Sequence, residues 1–447
     1  MDKFTDYSIK MNISRFFDYI DMKCIVATLS VELGMLLVAV YKGQGRAYLP
    51  IVLLLMGFTV VGCIISTCAG ADKKILVIII VLLNLGFLVQ QIQSRESQTG
   101  DAVTKLAVAL GTALFMAFIY SKISRLLSKD VMIIIMMIVQ LAVSFAVFFL
   151  GQVIGADGSQ GATISINGIT PFEFVKIMYL FIVVGLLCSE NDKIRIIKWS
   201  VDRELILIVH TAFLSLTFIL CNELGTLLIV YITWLVMLYM FGSRRKWIKV
   251  LGTVSAGGFI IVWFVCDRFL FPLMIKNAGT FPSVIGKLIR RFGVALHPEF
   301  YINDYGYQGA RGLMAIAIGG WLGIGTERHR ISLPEANNDF IFANVIETCG
   351  ILFGFVLIIF ILAFFKQSMV IAERCEKQYF KGIASGVGVV IMVESIIHIG
   401  YNMALLPITG IPLYFLSQGF SAIITSMCLV AILLVISVDN RNEEVEV

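Results

Sequence analysis

Twelve apolar runs, each about as long as a membrane-crossing helix, divide this chain between residues 24 and 437. A spanning helix needs roughly 20 mostly apolar residues, and lipid offers no partner to a free backbone amide, so such runs fold as helices. They lie near 24–41, 48–68, 75–92, 104–121, 131–154, 172–188, 204–221, 224–242, 249–273, 341–365, 383–403 and 413–437. With 59% hydrophobic residues, 15% charged ones and a mean hydropathy of +0.92, the chain lacks the polar surface that a water-soluble protein of 447 residues needs. The expected fold is all-α, a polytopic membrane helical bundle of about 12 transmembrane helices with one large extracytoplasmic loop, 274–340.

Basic residues orient the bundle. With a cytoplasmic N-terminus, the inner segments hold 22 Lys and Arg, among them Lys73, Arg125, Lys193, Arg244, Arg374 and Lys377, whereas the short outer loops hold four: Lys42, Arg46, Arg95 and Lys105. That excess follows the positive-inside rule and puts both termini in the cytoplasm. The net charge of +5 is therefore a topology signal, and no nucleic-acid partner is expected.

The nine cysteines form no C-x-x-C pair and have no neighbouring histidines, so neither a zinc site nor a disulfide framework is expected. The first 22 residues are polar and charged. No cleavable signal peptide is expected there, and the first run serves as an anchor.

Ionisable side chains inside spans cost about 2.5 to 3.5 kcal/mol each on insertion scales, so they face the bundle interior and find partners. Glu173 and Lys176 in "TPFEFVKIM" are three apart, on one helix face, where they can pair. "CNELGT" places Glu223 and Thr226 at the outer end of a helix hairpin, where a carboxylate is favoured by the helix dipole. Glu347 follows Asp339 by eight residues, a little over two helical turns, so the two are expected on one inner face. The outer loop gathers Arg290, Arg291, Gln308 and Arg311, and guanidinium groups match phosphate oxygens in pairs. A solvated basic surface or contact with lipid headgroups is the alternative for that loop. "SLPEANNDFIF" then sets Glu335, Asn338 and Asp339 directly ahead of an apolar run.

"YGYQGARGLMAIAIGGWLGIG", "LPEANNDFIFANVIETCGILFG" and "HIGYNMALLPITGIPLYFLSQGFSA" resemble, in order and spacing, signature segments of the SEDS family (shape, elongation, division and sporulation), which includes RodA, FtsW and SpoVE. "PFEFVK" resembles the family's P-S-E-x-x-K and "NELGT" its P-D-L-G-T. The resemblance covers roughly 160–437 and implies three parts. Residues 1–155 hold N-terminal transmembrane helices that include two extra spans, residues 156–437 form the family core with the loop 274–340, and residues 438–447 are a cytoplasmic tail. It further implies a peptidoglycan glycosyltransferase of the bacterial cytoplasmic membrane that polymerises lipid II, commonly beside a class B penicillin-binding protein. The family's essential aspartate maps to Asp339.

Departures are visible: Asn338 stands where Thr is usual, Glu223 replaces Asp, Arg311 replaces Gln, and Tyr414, Gln418 and Phe420 alter the last motif. Asp339 is the expected general base, with Arg290, Arg291, Gln308, Arg311, Glu335 and Asn338 as substrate contacts. Glu173, Lys176, Glu223, Thr226 and Glu347 are expected as buried polar structure. No cofactor is certain; a divalent cation, Mg or Mn, held by Glu335 or Glu347 would assist the departing pyrophosphate. Two other readings stay open: a flippase or transporter of lipid-linked precursors, and a catalytically inactive cell-wall scaffold.

Overall fold

The computed structural model describes residues 57, 70–94, 99–154, 171–196, 199–221, 223–243, 245–270, 272–273, 291–295, 297, 306–325 and 331–446. The first two expected spans, residue 57 apart, and Arg290 lie outside them. The helices are α1 (Lys73–Ser94), α2 (Thr99–Leu127), α3 (Asp130–Ile154), α4 (Pro171–Leu187), α5 (Arg203–Leu220), α6 (Leu224–Phe241), α7 (Arg245–Val265), α8 (Tyr307–Gly319), α9 (Ile341–Cys349), α10 (Ile351–Arg374), α11 (Gln378–Asn402) and α12 (Phe420–Glu446). Between α4 and α5, β1 (Lys193–Ile196) and β2 (Trp199–Asp202) form an antiparallel hairpin with Lys193 opposite Asp202.

Nine helices among the described residues are long and apolar enough to cross a membrane. The expected span at 172–188 corresponds to α4, which has 17 residues and is buried along most of its length. The chain is thus a multi-pass membrane protein. Its core runs along α4, α11, α12 and α1, which bury most of their surface, while α7 turns nearly all of its surface outward. Glycines bring the inner helices together: a Cβ at Gly382 of α11 would stand 2.6 Å from the Cys188 sulfur at the end of α4. Helix α12 packs on α2, and α10 packs on α11 and α1.

Two spans differ from the sequence expectation. The apolar run at 341–365 is broken at Gly350, whose φ of 93° is open to glycine but strained for other residues, and the span proper is Ile351–Arg374. The backbone groups freed by the break are taken by the turn at 320–325: Ile324 N–H donates to the Glu347 carbonyl (2.8 Å), Gly325 N–H to Thr348 (2.9 Å), and Ile351 N–H to Gly320 (2.8 Å). Helix α9 therefore sits beyond the membrane-crossing part of α10 as a short buried cap. The last span begins at Phe420 rather than near 413, because 414–419 turn back to support the segment ahead of α9.

Candidate active site

Residues 334–340 form a tight turn, not the start of a helix. Glu335 adopts φ 50°, its carbonyl accepts from Asn338 N–H (3.0 Å) and Phe340 N–H (3.1 Å), and its carboxylate accepts from the Asn338 side-chain amide (3.0 Å). Phe340 is fully buried and fixes the end of the turn, edge-on to Tyr401 with ring centroids 6.2 Å apart. On its other side it lies against Gly312 of α8, where a Cβ would come within 2.8 Å of the ring.

Three consecutive carbonyls of this turn are held from the far end of the chain. The Asn337 carbonyl accepts from Gln418 N–H (2.8 Å), and the Asn338 carbonyl from the Ser417 hydroxyl (3.0 Å). The Asp339 carbonyl accepts from the Tyr401 hydroxyl (2.8 Å) and the Asn402 amide (2.9 Å). Asn402 also accepts from Ala343 N–H (3.2 Å), tying the turn to the first residues of α9.

The Asp339 carboxylate itself is left uncommitted. Among the described residues no cation lies within ion-pair distance of it. Gly410, at φ 68°, faces it so closely that a Cβ there would stand 3.5 Å from Oδ2. Burial first, and the Glu335 charge second, push the Asp339 carboxyl up from 3.8 to about 6. A fixed backbone under a half-buried carboxylate that titrates near neutrality suits proton abstraction.

Around this turn the expected polar residues fall into separate groups. Gly225 of α6 packs on Ile411 and Thr409, and Gly309 of α8 on Ile408, so the starts of both helices meet the segment that carries Gly410. Glu223 precedes α6 without capping it through its side chain; Thr226 donates to its carboxylate at 3.4 Å. Arg291 is half-buried, and burial holds its guanidinium below the ordinary value while the Glu223 charge opposes that shift. Gln308 and Arg311 lie in the first turns of α8, with the Arg311 guanidinium over the Tyr307 ring at 4.9 Å.

Glu347 does not share a face with Asp339, because Asp339 lies in the turn and the helix starts after it. Its carboxylate is fully buried and accepts from Ile331 N–H at 2.8 Å. Of the two candidate cation holders, only the exposed Glu335 lies beside Asp339, with one carboxylate oxygen bonded by the Asn338 amide, and no group of three metal-ligating side chains occurs among the described residues.

Deep in the bundle Glu173 and Lys176 pair as expected, at 2.9 Å. The sequence did not reveal their partners: Glu394 of α11 takes the same ammonium at 2.9 and 3.0 Å, and Tyr414 donates to Glu173 at 3.0 Å.

Residues 73–442 match the cell cycle protein family of FtsW, RodA and SpoVE. The chain belongs to that family. The match opens at the first residue of α1, so the two expected N-terminal spans precede it. The probable peptidoglycan glycosyltransferase FtsW of Lactococcus lactis is 25% identical over 302 residues, which cover 63% of this chain and 68% of that one. Its counterpart in Allochromatium vinosum is 30% identical over 285 residues, covering 62% and 66%. A chain from a peptidoglycan synthase complex, solved in work on the structural coordination of polymerization and crosslinking, superposes with a TM-score of 0.57. At 19% identity that likeness is one of fold, and it covers 83% of this chain and 98% of the other.

Within this FtsW, RodA and SpoVE member the departures acquire structural partners. Asn338 bonds Glu335, Tyr414 bonds Glu173, and the backbone of Gln418 holds Asn337. Tyr401, Asn402, Gly410 and Ser417 were missed as site residues although all four sit in the quoted last motif; nothing local in that segment signals that it folds against residues some 60 to 80 positions earlier.

Proposed function

We propose that this chain is an inverting glycosyltransferase that polymerises lipid II, the undecaprenyl-pyrophosphate disaccharide-pentapeptide, with Asp339 as general base. The observation that carries the reading is the Asp339 carboxylate, uncommitted and poised to titrate near 6 on a turn whose carbonyls are clamped. The 4-hydroxyl of one lipid-linked sugar attacks the anomeric carbon of another. The new C–O bond forms as the bond to pyrophosphate breaks, and the hydroxyl proton passes to Asp339, a contribution of about 10² to 10⁴ in rate. One displacement turns an α-linked donor into a β linkage, so no covalent enzyme intermediate is required.

The leaving pyrophosphate carries its own charge and needs cationic groups rather than an acid, a role for Arg291 and Arg311 with Arg290. Gln308 and Asn338 are amides available to sugar hydroxyls. Glu335 would be the carboxylate available to hold a magnesium or manganese ion on the pyrophosphate, where such an ion would supply positive charge to the leaving group; one carboxylate suffices when substrate phosphates complete the shell.

The names of the relatives support polymerisation over precursor flipping, and of the buried charges that motivate a transporter, Glu173, Lys176 and Glu394 are tied to one another while Glu347 accepts from Ile331 N–H. The basic-residue pattern supports both termini in the cytoplasm, a cytoplasmic-membrane location, and the site on the outer face. The fold likeness to a chain of a peptidoglycan synthase complex supports a class B penicillin-binding protein as partner. Purified protein given labelled lipid II, with and without the cognate transpeptidase, tests the reading. Glycan polymer is expected from the native chain and none from Asp339→Ala; equal polymer from both would remove Asp339 as base.

A further inference from the structure

One turn before Tyr401 and Asn402 on α11 stands His398, fully buried. The three residues fall at i, i+3 and i+4, on one face of the helix. That face meets both segments that flank the Asp339 carboxylate. One is the turn 334–340, reached through the Asp339 carbonyl, which lies 2.8 Å from the Tyr401 hydroxyl oxygen. The other is the stretch that carries Gly410, reached through the Ile411 carbonyl, which lies 2.7 Å from His398 Nδ1 and 2.6 Å from the Tyr401 oxygen. His398 Nδ1 and the Tyr401 oxygen are 2.9 Å apart, and the two rings meet at 60° with centroids separated by 5.0 Å.

The hydrogens on this face are few enough to assign. Asn402 spends both of its amide hydrogens, on the Asp339 carbonyl at 2.9 Å and on the His398 carbonyl at 3.0 Å. Tyr401 has a single hydrogen for two carbonyls, and the nearer is Ile411. The imidazole decides between them. Its Nε2 is buried and meets no hydrogen-bond partner among the described residues, so a hydrogen there would be a stranded donor, and a bare Nδ1 would set its lone pair against the Ile411 carbonyl. One hydrogen on Nδ1 removes both penalties and leaves only an unpaired acceptor at Nε2, the lesser cost. Nδ1–H then donates to the Ile411 carbonyl, and the Tyr401 hydroxyl is released to donate to the Asp339 carbonyl. We propose that His398 is a positioning residue of the Asp339 site: by occupying the Ile411 carbonyl it directs the Tyr401 hydroxyl to the Asp339 carbonyl, and so holds the carboxylate at a fixed distance from the Gly410 wall. Fully buried, it touches no substrate and acts through Tyr401 and Ile411. The role rests on the reading of Asp339 as general base and adds to it the residue that sets where that base sits, since displacements of about 1 Å cost such a group much of its rate.

His398→Leu and His398→Asn test this, because the two side chains share one skeleton and only the Asn amide can place an N–H where Nδ1 was. In steady-state polymerisation of labelled lipid II by the full chain, kcat is expected to fall about tenfold in His398→Leu with KM little changed, and His398→Asn is expected to recover most of that loss. In a Tyr401→Phe background the same Leu substitution is expected to cost less than about threefold, because the hydroxyl it would misdirect is gone. Nitrogen NMR of the chain with isotope-labelled histidine, assigned by the resonances lost in His398→Asn, is expected to show Nδ1 protonated and Nε2 bare. A proton on Nε2 would overturn the role. So would full kcat in His398→Leu, or equal losses from Leu and Asn, in a chain whose Asp339→Ala variant is inactive. Where Asp339→Ala makes as much polymer as the native chain, the general-base reading falls instead, and there, or where His398→Leu fails to fold, the nitrogen resonances of the native chain alone decide on His398.

Discussion

Replacing Asp339 with Asn separates what the carboxylate contributes to chemistry from what it costs in stability. Its carboxyl ordinarily titrates at 3.8 and is pushed up to about 6, chiefly by burial. At about 1.4 kcal/mol per pH unit, that gap sets a ceiling of about 3 kcal/mol on the destabilisation carried by the ionised form. The half-buried side chain keeps some contact with solvent, so the realised figure lies below the ceiling. Because the folded value is raised, the folded protein keeps a proton between about pH 4 and pH 6 that the unfolded chain has released, and stability falls as pH rises through that window. Asp339→Asn removes the charge and preserves the shape. In detergent micelles its unfolding midpoint is expected to exceed that of the native chain by up to a few degrees at neutral pH, and to merge with it near about pH 4. Polymerisation by the same variant is expected to fall by about 10² to 10⁴. A variant no more stable than the native chain at neutral pH, or equally more stable at both pH values, would refute the claim that a buried ionised carboxylate is held there at a cost.

Glu335→Gln removes the second cause of the raised Asp339 value and leaves burial, the larger one, in place. The acidic limb of the kcat/KM profile is expected to move to lower pH by less than half the distance back to 3.8. Asn402→Ala deletes the bonds to the Asp339 carbonyl and from Ala343, so kcat for polymerisation is expected to fall about tenfold or more with KM for lipid II little changed, which steady-state kinetics reads directly. Lys176→Met strands two buried carboxylates and is expected to destabilise by roughly 3 to 5 kcal/mol, whereas adding Glu173→Gln and Glu394→Gln restores most of that loss in thermal unfolding.

Much of the architecture is legible because lipid constrains it so tightly: ten apolar runs between 75 and 437 each correspond to a described helix. The break at Gly350 is not legible, since the residues on both sides are apolar and the energy that holds it lies in hydrogen bonds from 320–325. The Glu173 and Lys176 pair is read from helical spacing. Glu394 and Tyr414 complete that cluster from 218 and 241 residues away, beyond any local pattern. Asp339 is found through its motif, but the reason it is a half-buried turn residue rather than the first turn of a span emerges only with Tyr401, Asn402 and Ser417 in place. Arg311 shows the limit of matching charge to ligand: its spacing in the loop predicts a phosphate contact, and the structure adds a stacking partner, Tyr307, that no spacing predicts.

The buried ion cluster and the turn that carries Asp339 share one strut. The segment from 411 to 418 anchors at one end through Tyr414 to Glu173, whose partner Lys176 also holds Glu394, and at the other through Ser417 and Gln418 to the carbonyls of Asn338 and Asn337. Charges in a membrane interior are costly, and an apolar packing of the same volume would serve stability as well. What an apolar contact lacks is direction. The hydrogen bond from Tyr414 fixes both distance and angle, and the Lys176 ammonium 5.1 Å from the Tyr414 ring restrains the phenol from the side. A general base loses rate steeply with displacements of about 1 Å, so a strut that runs from the rigid centre of the bundle to the turn gives the cluster a use in positioning that packing alone would not supply. On that argument Tyr414→Phe should slow polymerisation through kcat at a stability cost of about 1 to 3 kcal/mol for the hydrogen bond lost by Glu173, and a loss of stability as large as that of Lys176→Met with kcat unchanged would show that the hydroxyl serves the bundle rather than the site.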